Sequence, residues 1–106
     1  MIWYGHAYQK ISATVNVTNG KHYLIVYSGA PTVAGRGWHN GNYTLTGAVT
    51  VAELARRNEG NSNGIYVTTL ILYVVATSSQ LYFNKSWNAY SDGLDGNVGL
   101  SILQLD

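Results

Sequence analysis

Residues 65–77 read Ile65-Tyr66-Val67-Thr68-Thr69-Leu70-Ile71-Leu72-Tyr73-Val74-Val75-Ala76-Thr77. Taken alternately they split into two faces. Ile65, Val67, Thr69, Ile71, Tyr73 and Val75 form one, and Tyr66, Thr68, Leu70, Leu72, Val74 and Ala76 form the other. Both are apolar. β-Branched and aromatic side chains lose χ1 freedom against the preceding turn of a helix, whereas they fit a pleated surface well. The stretch therefore predicts a long central strand covered on both sides. In an antiparallel domain of 106 residues one side meets the core, and the other needs a second layer or a neighbouring subunit. On this reading Ile65, Val67, Ile71, Tyr73 and Val75 line an oligomer interface.

The flanking sequence supports an all-β fold. Ile11, Ala13, Val15 and Val17 alternate with Lys10, Ser12, Thr14 and Asn16, the period of a strand with one wet face. The run ends at Asn19-Gly20, a strong hairpin signal, and returns as Tyr23-Leu24-Ile25-Val26-Tyr27. Lys10 to Tyr27 thus predicts a β-hairpin. Gly29 to Gly47, with five glycines and the only proline, reads as a long loop with a short strand at Tyr43 to Thr46. Loops of that length in a small domain are usually functional or mobile. Near 51–58 two readings stay open. Thr50-Val51-Ala52-Glu53 matches a capping box and Arg56-Arg57 would suit a helix C-terminus, which favours a short helix; the other reading is a strand over 48–54. Asn58 to Gly64 is a turn-rich connector, Leu81-Tyr82-Phe83 returns as a strand, Lys85 to Gly96 forms a second aromatic-polar loop, and Val98 to Leu105 closes the chain as a strand. About six or seven strands with closely spaced turns predict one domain over 1–106, an antiparallel β-sandwich or jelly roll.

Composition excludes several functions. Charged residues make up 10% and the net charge is +1, against about 25% charged in an ordinary soluble domain. No basic surplus points to nucleic acid. Cysteine is absent, which removes disulfides, thiolate metal sites and thiol catalysis. The longest apolar run, Ile65 to Ala76, is shorter than the roughly 20 residues of a spanning helix, so no membrane insertion is expected. The N-terminus lacks the basic start and apolar core of a signal peptide.

Catalytic chemistry has little to stand on. The five carboxylates are Glu53, Glu59, Asp92, Asp95 and Asp106, of which only Asp92 and Asp95 form a close pair. The histidines, His6, His22 and His39, are isolated along the chain, and no hydrolase or metalloprotease motif occurs. The expectation is a protein that is not an enzyme and uses no cofactor. Asp92, Asp95 and Asn97 supply oxygen donors for a Ca²⁺ loop, but fewer than the six or more such a loop provides; successive Asp-Gly turns explain the same spacing. His6 and His22 flank the predicted hairpin and would form a pH-sensitive cluster with Lys21, the ordinary alternative being two exposed histidines.

The two aromatic-polar loops carry the functional reading. Arg36, Trp38, His39, Asn40, Asn42 and Tyr43 crowd the first; Trp87, Asn88, Tyr90 and Asp92 crowd the second. An aromatic ring accepts the C–H face of a pyranose, and Asn, Asp, Arg and His make directional bonds to its hydroxyls. The alternative is that Trp38 and Trp87 plug the ends of a small barrel while the polar residues solvate the loops. Exposed aromatics among few charges also mark protein interfaces.

The alternating segment Lys10 to Tyr27, the apolar segment Ile65 to Phe83 and the closing strand Val98 to Leu105 together give the chain a general character. In it the chain resembles the receptor-binding heads of bacteriophage tail fibres and baseplates. No motif fixes a residue correspondence. The resemblance implies a jelly-roll head that closes as a homotrimer, binds a saccharide of the host surface, and works at a virion or extracellular surface. A C1q- or TNF-like trimer reads similarly. So does a structural capsid or decoration protein whose aromatic loops are buried between subunits.

Overall fold

The computed structural model describes residues 1–8, 11–31, 43–61, 64–85 and 96–106. Its regular structure is entirely β. In chain order the strands are β1 (Trp3–Tyr8), β2 (Ile11–Asn16), β3 (His22–Pro31), β4 (Thr44–Thr46), β5 (Ala48–Asn61), β6 (Gly64–Ala76), β7 (Gln80–Lys85) and β8 (Gly96–Gln104). They form a five-stranded sheet in the order β1-β8-β3-β6-β5 and a three-stranded sheet in the order β2-β7-β4.

The winding follows from the pairings. β1 pairs with β8, β2 with β7 and β3 with β6, all antiparallel. The chain therefore behaves as one long antiparallel ribbon folded back on itself, outermost strand against outermost. Rolling that ribbon brings β3 beside β8 and β4 beside β7, which closes a jelly roll. β5 departs from the pattern: it runs along β6 at the edge of the larger sheet instead of extending the smaller sheet past β4.

The long apolar strand is β6, with β3 on one side and β5 on the other. Leu70, Leu72, Val74 and Ala76 are buried, while Ile71, Tyr73 and Val75 are half-buried on the opposite face. The buried set joins Tyr23, Ile25 and Tyr27 of β3 and Val98, Leu100 and Ile102 of β8. Against these pack Ile11, Ala13 and Val15 of β2 with Leu81 and Phe83 of β7, giving one core between the two sheets. Tyr23 is buried because its hydroxyl accepts a hydrogen bond from the Thr18 N–H at 2.8 Å, which satisfies the polar tip.

The hairpin expected over 10–27 does not form. β2 and β3 lie in different sheets, and Thr18 to Lys21 joins the sheets instead. The turn signal itself is sound. Gly20 adopts φ +88° and the Lys21 N–H donates to the Thr18 carbonyl at 3.0 Å. The flanking groups turn elsewhere, however: Val17 N–H donates to Ser79 O, Gly20 N–H to Ala76 O, and Ala76 N–H to Lys21 O. A flat hairpin would lay Ile11, Ala13 and Val15 beside Tyr23, Ile25 and Tyr27 on a single uncovered face. Splitting the strands lets those two rows cover each other.

The helix expected near 51–58 is also replaced. Those residues belong to β5, whose pairing with β6 carries register shifts between Thr50 and Ala52, Glu53 and Ala55, and Arg57 and Asn58. A capping box contributes about 1 kcal/mol, whereas a helix here would leave one whole edge of β6 without ladder partners. The shift at Leu54 also explains the helix-like spacing of Glu53 and Arg56. The extra residue puts both opposite inward-facing Leu72 and Leu70, so a separation of three behaves as a separation of two.

Candidate functional site

Strand direction gathers several chain ends at one end of the sandwich. Pro31, the last residue of β3, pairs with Gly96, the first of β8; Tyr8 at the end of β1 pairs with Asn97; Ile11 at the start of β2 pairs with Lys85 at the end of β7; Thr44 at the start of β4 pairs with Asn84. The strand ends that bracket 32–42 and those that bracket 86–95 are therefore immediate neighbours. Most of the residues singled out in sequence, Arg36, Trp38, His39, Asn40, Asn42, Trp87, Asn88, Tyr90, Asp92 and Asp95, lie outside the described residues. Asn97 lies in β8.

Three described features lie at or beside this end, the Glu53–Arg56 pair acting on it from positions opposite Leu72 and Leu70. Tyr43 is half-buried and packs on the core; its ring stacks on Phe83 at 5.7 Å between centroids and 23° between planes. Arg56 grips Glu53 with two hydrogen bonds, Nε to Oε1 at 2.7 Å and Nη2 to Oε2 at 3.2 Å. That fork holds the Glu53 carboxyl below its ordinary pKa. Lys85 is the third, the one buried charged residue among those described. It follows Leu81 and Phe83 at the inward positions of β7. Burial pushes its ammonium down to about 8, and the positive charge of Arg56 pushes the same way. Sequence reading placed Lys85 at the start of a loop; the parity of Leu81 and Phe83 is the signal that would have turned it inward.

The candidate interface divides similarly. Ile65 and Val67 lie in β6 opposite Gly60 and Asn58. Ile71, Tyr73 and Val75 belong to a larger row on the outer face of the five-stranded sheet. Tyr73 pairs with Leu24, which pairs in turn with Leu103; Ile71 pairs with Val26, and Val75 with Val49. Leu24, Val26 and Leu103 are half-buried and Val49 is exposed. The two histidines sit at the margins of this face and are not a cluster. The His6 ring packs edge-on to Tyr4 and hydrogen-bonds its hydroxyl. His22 lies at the opposite end of the sheet, stacked on Tyr73 at 5.4 Å. Its N–H and Nδ1 both meet the Asp106 carboxylate, at 2.7 and 2.9 Å, which holds that carboxyl below its usual range. Lys21 adds its charge to the Asp106 environment, so that end joins His22, Lys21 and Asp106 without His6.

Among the described residues no group of three His, Asp or Glu side chains could hold a metal ion. No family model, no curated protein and no solved structure matches the chain.

Proposed function

We propose that the chain is the receptor-binding head of a homotrimeric phage-type fibre or a similar surface adhesin, and that it binds a host-surface saccharide. What supports the reading above all is that the strand ends flanking 32–42 and 86–95 adjoin at one end of the sandwich. Segment 32–42 carries Trp38, Asn40 and Asn42 and is followed by Tyr43, and segment 86–95 carries Trp87, Asn88 and Tyr90. Because the strand ends they join are neighbours, Arg36, Trp38, His39, Asn40, Asn42 and Tyr43 would act with Trp87, Asn88, Tyr90 and Asp92 on one ligand. Aromatic faces and neutral donors suit a sugar, and the site needs no catalytic group. The half-buried apolar row through Tyr73, Ile71 and Val75 supports closure with further copies, and repetition of a weak site would then act through avidity.

The same apolar face favours a second reading, a structural assembly protein of capsid or decoration type. A glycan array followed by titration of Trp38→Ala and Trp87→Ala separates the two. A binding head loses glycan binding by at least about tenfold with its mass and fold intact. Loss of assembly with no glycan bound by the parent protein would replace it with the structural reading.

A further inference from the structure

The outer face of the three-stranded sheet has a chemistry unlike that of the other sheet. Its outward positions, among the described residues, are Ser12, Thr14 and Asn16 on β2, Gln80, Tyr82 and Asn84 on β7, and Thr44 and Thr46 on β4. None of these is charged and none is aliphatic. The register fixes their layout. Tyr82 stands in the middle row between Thr14 and Thr46, Asn84 stands between Ser12 and Thr44, and Gln80 faces Asn16. The Gln80 amide donates to Asn16 Oδ1 at 3.2 Å, which holds one end of the surface in place. Tyr82 is 36% exposed, so its phenol is supported by the sheet yet open above.

We propose that this face is a second binding surface, a platform for an extended uncharged saccharide chain. The ring of Tyr82 would take the C–H face of one pyranose unit. Side chains on neighbouring strands stand about 5 Å apart, and those two residues apart on one strand about 7 Å apart. The hydroxyls of Thr14 and Thr46 and the amide of Asn84 therefore ring that aromatic at the reach of one sugar's hydroxyls. The length of β7 from Gln80 to Asn84 matches two to three units of an extended chain, on the order of 13 Å. Among the described outward residues of this sheet none is charged, which favours a neutral ligand, because an acidic or basic polymer gains no ion pair from them. This inference does not rest on the loop-end site: it uses a different sheet and different residues.

The test is titration of the intact chain with neutral hexasaccharides, one β-1,4-linked and one α-1,4-linked glucose hexamer, and a sulfated hexamer of similar length. Amide and side-chain NMR shifts provide the readout. The expected result is shifts concentrated at Ser12, Thr14, Thr46, Tyr82 and Asn84 with a neutral hexamer. Tyr82→Ala should weaken that binding at least about tenfold, and Val51→Thr, at an exposed position of β5 in the other sheet, should leave it unchanged. Thr14→Lys, at an exposed strand position, keeps the test meaningful should Tyr82→Ala disturb folding; it should also weaken binding. The proposal is overturned by failure of both neutral hexamers to bind, by tighter binding of the sulfated one, or by shifts confined to other surfaces. A change in oligomeric mass on Tyr82→Ala would equally overturn it, assigning the face to a protein contact. If the Tyr82 variant binds normally while Trp38→Ala and Trp87→Ala abolish binding, this surface is dismissed and the loop-end reading stands.

Discussion

Gly47 shows how much a single residue carries in this fold. It is the whole connection between β4 in one sheet and β5 in the other, it adopts φ +78°, and its carbonyl accepts from the Thr77 N–H at 2.9 Å. A Cβ at this position would run into the carbonyl of Gln80, which is backbone and cannot swing aside. Gly20 has a similar φ, yet a Cβ there would meet nothing. Gly47→Ala should therefore cost about 3 kcal/mol or more, and Gly20→Ala only about 1 kcal/mol, the left-handed term alone. Urea unfolding of the two variants measures the difference, and equal losses would refute the steric argument. Lys85 makes a second residue-scale prediction. Its folded value is lowered to about 8 from the ordinary 10.5, so the folded state prefers the neutral amine. Below pH 8 the desolvation cost is present in full. Between 8 and 10.5 the unfolded chain still holds the proton that the folded chain has released, so stability rises with pH, by roughly 3 kcal/mol at most. Other groups titrate in that window, so the quantity to measure is the difference between the parent and Lys85→Met. The variant should lose the rise; identical pH profiles would show that Lys85 is not the cause.

At the scale of elements, the sequence is legible where one row of side chains decides the outcome. The alternation in Ile11 to Val17 and the apolar run after Ile65 each named a strand, and both are strands. The readings that failed depended on choosing a partner. Asn19-Gly20 specifies a turn but not whether the strands it joins pair with each other, and here their apolar rows cover each other better from opposite sheets. Thr50 to Arg57 carries local helix signals, which the ladder offered by β6 outweighs. The inward turn of Lys85 was readable from its neighbours' parity, whereas the meeting of the chain ends around Pro31, Gly96, Thr44 and Asn84 needed the winding of the whole ribbon. The same logic orders local stability. β3 and β6 each have strands on both sides, while β5 has β6 alone and carries three register shifts. Amide hydrogen exchange should be slowest at Tyr23–Tyr27 and Leu70–Ala76 and markedly faster along β5. Protection of β5 equal to that of β3 would mean that its outer edge is covered in solution, as by a second chain.

At the scale of the whole molecule, the two sheets present opposite outer surfaces. The smaller sheet shows hydroxyls and amides around Tyr82, while the larger shows the half-buried row of Leu24, Val26, Ile71, Tyr73, Val75 and Leu103. A jelly roll that closes on further copies through the larger sheet removes that row from water and leaves the smaller sheet facing outward. Val26 is the useful probe, since it lies between Ser101 and Ile71 in the middle of the face and points away from the core. A carboxylate there stays in water in a single chain and costs little, but between packed copies it is an unpaired buried charge worth several kcal/mol per copy. Light scattering at micromolar concentration should give the parent chain a mass of about three times 11.5 kDa, and Val26→Glu should give a single folded chain with an unchanged β-type circular dichroism spectrum. A parent protein that is monomeric at every concentration would end the trimer proposal. The outer face of the five-stranded sheet would then be a solvated surface, its side chains half-covered only by their own cross-strand neighbours.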